Sequence, residues 1–346
     1  MKPRLHHVAE LAGVSPATVS RVLNGRPGVA EPTRREVLRA LSQLGYEPVG
    51  RARARHHGIV GLVVPELDNP VFPRLAQAIE SRLAAEGRTM LMGTSTPAGM
   101  READYLDALL DQAVAGIVIV SGLAANLSAD HRQYEDLVAR GVPTVLVNGR
   151  APGIGLAAVS TDHVAAGQQA VRHLAELGHT RIGVAIGPLR YIPSREFLDG
   201  YHQGMASAAL PLNDTLVSET LYGVEGGHAA GRDLIRLGAT AVICASDPIA
   251  LGVMRAARDS GLEITRDLSV IGFDDAGGNA HTTPPLTSTK QPFEDMAAGI
   301  VRLLRQQITE ALITDTELRF QPELVVRAST GAVPERLPRP ADSRTA

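Results

Sequence analysis

The chain has 346 residues, 44% hydrophobic and 21% charged, which reads as an ordinary soluble globular protein with length for two or three cores. No apolar run approaches the roughly 20 residues that a membrane span needs, and the single cysteine, Cys244, excludes an internal disulfide and reads as a buried core thiol. The formal net charge of -3 hides a segregation: residues 1–57 carry ten Lys and Arg against four Asp and Glu, and the remainder carries 24 against 33.

A small basic module on an acidic body suits contact with a polyanion at one end, because phosphate neutralisation dominates nucleic-acid affinity. A solvated charged head would show the same charge, so spacing has to decide. The N-terminus "MKPRLHHVAE" enters a polar helical pattern with no apolar signal core, which reads as a cytoplasmic protein. In "VAELAGVSPATVSRVLNG", Val8, Ala9 and Ala12 recur at helical intervals, Gly13 breaks the helix and Ser15 is a good N-cap. Val19, Val22 and Leu23 then form the apolar face of a second helix. This is helix, tight turn, helix, and it leaves Pro16, Ala17, Ser20 and Arg21 facing outward, where such a unit enters the DNA major groove. A third helix follows in "EPTRREVLRALSQLGY", with Val37, Leu38, Leu41 and Leu44 as its buried stripe.

These two stretches resemble the DNA-binding headpiece of the lactose-repressor family of bacterial transcription regulators. The resemblance implies that Ser15, Thr18, Ser20 and Asn24 hold phosphates while Pro16, Ala17 and Arg21 face bases. Pro16 and Ala17 have no side-chain hydrogen-bonding group, which leaves Arg21 as the main polar base reader of this helix. Residues 1–47 form this headpiece, and 48–57, within "YEPVGRARARHHG", form the segment that the family uses as a minor-groove hinge helix. Its basic residues Arg51, Arg53 and Arg55 are candidate DNA contacts. The segment departs from the family pattern: Val49 stands where Asn is usual, and Arg55 occupies the place of an apolar wedge. An arginine exploits the negative potential of a narrow groove rather than unstacking bases. A flexible basic linker is the other reading.

From Gly58 onward, β-branched runs alternate with amphipathic helical stretches. Strands are expected at "GIVGLVV", "TMLMG", "GIVIV", "TVLVN", "RIGVAIG", "AVICAS", "LSVIGF" and "LTSTKQ", with helices such as "PRLAQAIESRLAAEG", "HVAAGQQAVRHLAELG" and "PIALGVMRAARDSG" between them. Such alternation implies parallel sheets covered by helices on both faces. The fold class is therefore α/β. In the family, a body like a periplasmic sugar-binding protein, with two α/β subdomains and ligand between them, follows the headpiece. Residues 58–330 are read as this body, with a first crossover near Ala158–Ser160, and 331–346 as a disordered tail.

In parallel sheets ligands bind beyond the carboxyl ends of strands. Those ends carry Asp68, Asn69, Ser121, Asn148, Ser246, Asp247, Asp274 and Asp275. Any one of them alone reads as a turn residue or helix cap. Together, carboxylates and amides without a cationic cluster suit a neutral polyol. Phe72, Tyr222 and Phe293 add apolar faces in a chain that is only 3% aromatic, though each alone reads as core. The resemblance places effector contacts at Asn69, Asn148, Ser246 and Asp274, a sugar-stacking aromatic at Tyr222 and a pocket phenylalanine at Phe293. Where the family usually has an effector-binding arginine, this chain has Phe197. Arg195, two residues earlier in "SREFLDGY", could serve only if the preceding loop is re-registered. Within the family, "PELDNPVFPRLAQAIES", "VAGIVIVSGL" and "GPLRYIPSREFLDGY" look most like the maltose and maltodextrin repressor branch.

No phosphate-binding loop, metalloprotease motif, nucleophile elbow or cysteine cluster is present in the sequence. No enzyme activity, cofactor or metal is expected. The sequence reads as a cytoplasmic homodimer that binds double-stranded operator DNA and a small sugar, with no membrane contact. A purine or a phosphocarrier corepressor in place of the sugar is the alternative.

Overall fold

The computed structural model describes residues 5–23, 29–43, 58–96, 99–310 and 313–334. The chain divides into two compact units, Met1–His57 and Gly58–Ala346. Asn24, Leu44, Val49, Arg51, Arg53 and Arg55 lie outside the described residues, as do the side chains of Ser20, Leu23 and Leu38 and the C-terminal residues 335–346.

In the first unit, α1 (Leu5–Leu11), α2 (Pro16–Leu23) and α3 (Glu31–Gln43) close around Val8, Val19, Val22, Val37 and Leu41. Gly13 makes the turn between α1 and α2 at a φ of 62°, a conformation that glycine adopts without a Cβ penalty. Ser15 caps α2, its Oγ accepting from the Thr18 amide at 3.1 Å.

The second unit runs β1 (Ile59–Val64), α4 (Val71–Ala85), β2 (Thr89–Thr94), α5 (Glu102–Asp111), β3 (Gly116–Val120), α6 (Arg132–Ala139), β4 (Thr144–Val147) and β5 (Ala157–Thr161). It continues through α7 (His163–Glu176), β6 (Ile182–Ile186), α8 (Ile192–Ser207), β7 (Val217–Glu219), α9 (Val224–Arg236), β8 (Ala241–Cys244), α10 (Asp247–Asp259) and β9 (Ser269–Asp274). Last come β10 (Thr287–Lys290), α11 (Phe293–Glu310), β11 (Glu317–Phe320) and β12 (Glu323–Val325). Two sheets result, in the orders β11-β5-β4-β3-β1-β2 and β12-β10-β9-β8-β6-β7. All neighbours are parallel except the β10–β12 pair. The central strands of each sheet are buried on both faces by helices, so they are runs of Val and Ile rather than alternating patterns. Cys244 is one of these buried strand residues.

Within the described residues the chain passes between the two subdomains three times: after β5, between β10 and α11, and between β11 and β12. The first passage follows Thr161, directly after Ala158–Ser160, which pair with β4 and β11. The body also extends past residue 330. The Val333 amide donates to the Leu177 carbonyl at 2.9 Å, and the Gly331 carbonyl accepts from the buried His179 at 3.1 Å.

Two features join elements closely. At the α7–α8 crossing, Gly167 and Gly200 face each other's backbones: a methyl group on Gly167 would lie 2.6 Å from the Phe197 carbonyl oxygen, and one on Gly200 would overlap that of Val164. The subdomains also meet through main chain, where the Leu127 amide donates to the Arg190 carbonyl at 2.8 Å beside an isolated bridge between Asn126 and Tyr191. Glu102 and His131 hold this loop in place. The Glu102 carboxylate accepts from the Leu123 amide at 3.0 Å and from the Tyr134 hydroxyl, and His131 Nε2 donates to the carbonyls of Leu123 and Asn126.

Candidate functional site

On the headpiece, Ser15, Pro16, Ala17 and Arg21 are exposed, while Val19 and Val22 turn inward. Thr18 is half-buried, its hydroxyl 3.0 Å from that of Ser15. Pro16 begins α2, where its missing N–H costs nothing. The outward strip therefore presents one long cationic side chain, Arg21, flanked by small groups that let a helix approach a base edge closely.

In the body, a cavity of about 220 Å³ lies between the two subdomains. Among the expected residues it is lined by Asn69, Phe72, Ser121, Asn148, Tyr222, Ser246 and Asp274, and its wall includes no lysine or arginine. Three of the strand ends that reach it are bent into the left-handed region: Ser121 at φ 49°, Asn148 at 54° and Asp274 at 113°. That conformation is costly for residues with a Cβ, and such strain gathers where side chains are aimed for a function.

The floor is a hydrogen-bonded network spanning both subdomains. Gln291, buried in the passage from β10 to α11, donates to Asp274 Oδ1 at 2.6 Å. Its Oε1 accepts from Asn148 Nδ2 at 3.2 Å and from the Thr161 hydroxyl at 2.7 Å. Asn148 Oδ1 accepts in turn from the Thr161 amide. Burial drives the pKa of Asp274 well above the carboxylate range, and the nearby charge of Asp247 adds to this, while hydrogen bonds from Gln291 and Asn69 oppose it. Asp247 is pushed up to about 6, also chiefly by burial. It accepts from the Ser288 hydroxyl at 2.6 Å and from Asn279 Nδ2 at 2.8 Å.

Tyr222 stands over the cavity with its hydroxyl 2.9 Å from that of Ser194. Any side chain at Gly187 would collide with the Tyr222 ring, so this glycine makes room for the aromatic wall. Ser246 accepts from the Ile249 amide as the cap of α10 and also faces the cavity.

Three expected residues are not brought to the cavity. Asp68 is exposed on the β1–α4 loop. Arg195 lies in the first turn of α8 and is exposed, its Nε donating to the Leu189 carbonyl at 2.7 Å. Phe293 packs into the first subdomain's core with Met296, Ala297 and Ile300, because it opens α11, whose apolar stripe covers that sheet. Sequence reading missed Glu66, His163, Tyr191, Phe273 and Gln291 as lining residues. Phe197, noted as occupying an arginine's usual place, also lines the cavity and packs edge-on against Phe273, with ring centroids 5.5 Å apart.

Residues 4–49 match the model of bacterial regulatory proteins of the lacI family, and residues 171–330 match a periplasmic binding protein-like domain. The HTH-type transcriptional regulator MalR of Streptomyces coelicolor is 47% identical over 98% of this chain and the whole of that protein. Among solved structures, a transcriptional regulator CelR–cellobiose complex has a TM-score of 0.71 at 33% identity, covering 94% of this chain and 99% of that one. A lac repressor dimer bound to operator and the anti-inducer ONPF has a TM-score of 0.69 at 27% identity, covering 96% of this chain and all of that one. Among the described residues no helix is long and apolar enough to cross a membrane. With a helix-turn-helix unit over residues 5–23, a cavity between two α/β subdomains in the body, and near-full-length identity of this order, the chain belongs to the lacI family of bacterial regulatory proteins.

Proposed function

We propose that this DNA-binding regulator is a cytoplasmic repressor of carbohydrate-utilisation genes, that it acts by binding alone, and that a neutral sugar releases it, with maltose or a maltodextrin favoured. The observation that carries the sugar reading is the cavity's chemistry. Carboxylate, amide and hydroxyl groups converge there beside Phe72 and Tyr222, with no cation to recruit a phosphate or carboxylate ligand. Fixed acceptors, bidentate amides and an aromatic face are what a polyol needs. The sequence resemblance to the maltose branch supports maltose, and the cellobiose complex of CelR supports a disaccharide.

Operator contact is assigned to Ser15, Pro16, Ala17, Thr18, Ser20, Arg21 and Asn24, with Arg51, Arg53 and Arg55 in the minor groove. A homodimer places two such helices on a near-palindromic site. Leu91 and Met92 on edge strand β2, with Leu221, Val224 and Leu251 on the second subdomain, are exposed large apolar residues suited to that contact.

A thermal-shift panel of maltose, maltotriose, cellobiose, trehalose, ribose and purines tests the effector. A ligand at 100 times its dissociation constant adds roughly 2.7 kcal/mol of stability, so a maltodextrin is expected to raise the melting temperature and a purine to leave it unchanged. The reverse order overturns the sugar reading. For the headpiece, Arg21→Ala is expected to weaken operator binding by about 1–3 kcal/mol and relax preference at one base pair, as loss of an arginine–guanine contact does. Thr18→Ala, a phosphate contact in this reading, is expected to weaken all sequences alike. Binding titrations against a single-substitution operator series separate the two, and a uniform loss for Arg21→Ala returns it to the phosphate class.

A further inference from the structure

We propose that His163 is a sugar-contacting residue, oriented by Glu196 and Arg319, and that it selects for one hydroxyl of the ligand; this rests on the sugar reading above. His163 is the first residue of α7, just after the capping Asp162, whose side chain accepts from the Ala165 amide. It is 4% exposed and forms part of the cavity wall, its ring 5.5 Å from that of Phe273.

The molecule contains its own comparison. His179 is also fully buried, and both of its ring nitrogens are satisfied: Nδ1 lies 2.9 Å from the Thr240 hydroxyl, and Nε2 lies 3.1 Å from both the Ser269 hydroxyl and the Gly331 carbonyl. That is a structural histidine. His163 Nδ1, by contrast, is buried without a hydrogen-bond partner. The group it faces is Glu196 on α8, whose Oε2 is 3.5 Å away, beyond a good hydrogen bond. Glu196 is itself fixed from the other side, with Oε1 accepting from Arg319 Nη2 of β11 at 2.8 Å, and Arg319 also lies 3.1 Å from Glu317.

This arrangement orients an imidazole. A carboxylate facing one ring nitrogen keeps the proton there, which sets the tautomer and makes the other nitrogen an acceptor. With Nδ1 turned to Glu196, the ring nitrogen left for a ligand is Nε2, which in this proposal accepts from a ligand hydroxyl. The side chains behind it come from α8 and β11, elements on either side of a subdomain passage. Glu196 and Arg319 are therefore positioning residues that act through His163. A site with a buried acceptor of this kind discriminates strongly against a ligand lacking the matching hydroxyl, because the acceptor is then left unpaired.

The test is a calorimetric titration of full-length protein with maltose and its monodeoxy analogues, one hydroxyl removed at a time. In the parent, several deoxy positions are expected to lose about tenfold or more in affinity. In His163→Ala, the penalty at one position is expected to vanish while those at the others stay, and in Glu196→Gln that same penalty is expected to shrink. His163→Gln, which keeps size and polarity, serves if the alanine variant does not fold. Equal penalties at all positions in parent and variants overturn the proposal, and so does a uniform loss, total loss included, since a packing role alone would give that. If the parent binds no sugar at all, the sugar reading falls instead.

Discussion

Asp274→Ala is expected to lower sugar affinity by about 100-fold or more and, with it, to abolish release from operator by the sugar. Asp274 ends β9 in a strained backbone conformation, with one carboxylate oxygen committed to Gln291 and the cavity beyond it. Hydrogen bonds to a charged group are worth about 1.5–3 kcal/mol each, and two sugar hydroxyls bound to one carboxylate reach a 100-fold effect. The protonation state gives the prediction a second arm. Burial and Asp247 raise the pKa of Asp274 in the free protein, whereas sugar hydroxyls that donate to it stabilise the ionised form. Binding therefore lowers that pKa and expels a proton, so affinity is expected to rise as pH passes upward through the free-state value and to weaken below it. Asp247 titrates nearby, and Asp275, paired with Arg327 at 2.9 Å, completes the charged surroundings. Calorimetry in buffers of different ionisation enthalpy reads the proton directly. If Asp274→Ala responds to the sugar as readily as the parent, the cavity is not the effector site.

The largest expected effect on stability belongs to Gly200→Ala. The added methyl would meet the Val164 carbonyl, main chain on a helix held in place by Gly167 packing against the opposite backbone, so neither side yields without separating α7 from α8. Overpacking of this kind costs about 3 kcal/mol, which for a body of this size lowers the melting temperature by roughly 6–12 °C. The damage spreads to the cavity, because α8 also carries Pro193, Ser194 and Phe197. Gly155, where a methyl meets nothing within 4 Å, is the control, and Gly155→Ala is expected to fall within about 0.5 kcal/mol of the parent. Equal melting temperatures for the two variants would mean that the crossing accommodates a side chain.

The central strands and the headpiece were legible because their signals are local. A buried parallel strand is a run of Val and Ile, and a capped helix after a glycine needs only adjacent residues. The missed strands lack that signature. β7, β11 and β12 are partly exposed edge elements of three or four residues, and β5, though wholly buried, is built of "AAVST", too small and polar to read as a run. The cavity was legible only at its strand ends. Gln291 reads as a strand terminus, yet its partners Asn148 and Thr161 are more than a hundred residues away. His163 looks like any residue opening a helix, and only the folded chain sets it against Glu196. Phe293 and Arg195 were expected from the family resemblance, which matches positions along the chain and says nothing about which way a helix turns a side chain: Phe293 packs into the core and Arg195 turns to the Leu189 carbonyl.

The Leu127–Arg190 contact separates two quantities that a ligand-responsive protein usually mixes. Both atoms of that bond are main chain, so no side-chain change short of Leu127→Pro deletes it, and its neighbours Glu102 and His131 lie outside the cavity wall. Where binding requires a shut cleft, the observed affinity is the intrinsic one scaled by the fraction of molecules already shut. Variation at Glu102 or His131 thus shifts the threshold concentration for every ligand by one common factor and leaves their ranking intact, whereas variation inside the cavity reorders the ranking. Sensitivity and selectivity can drift independently in this lineage.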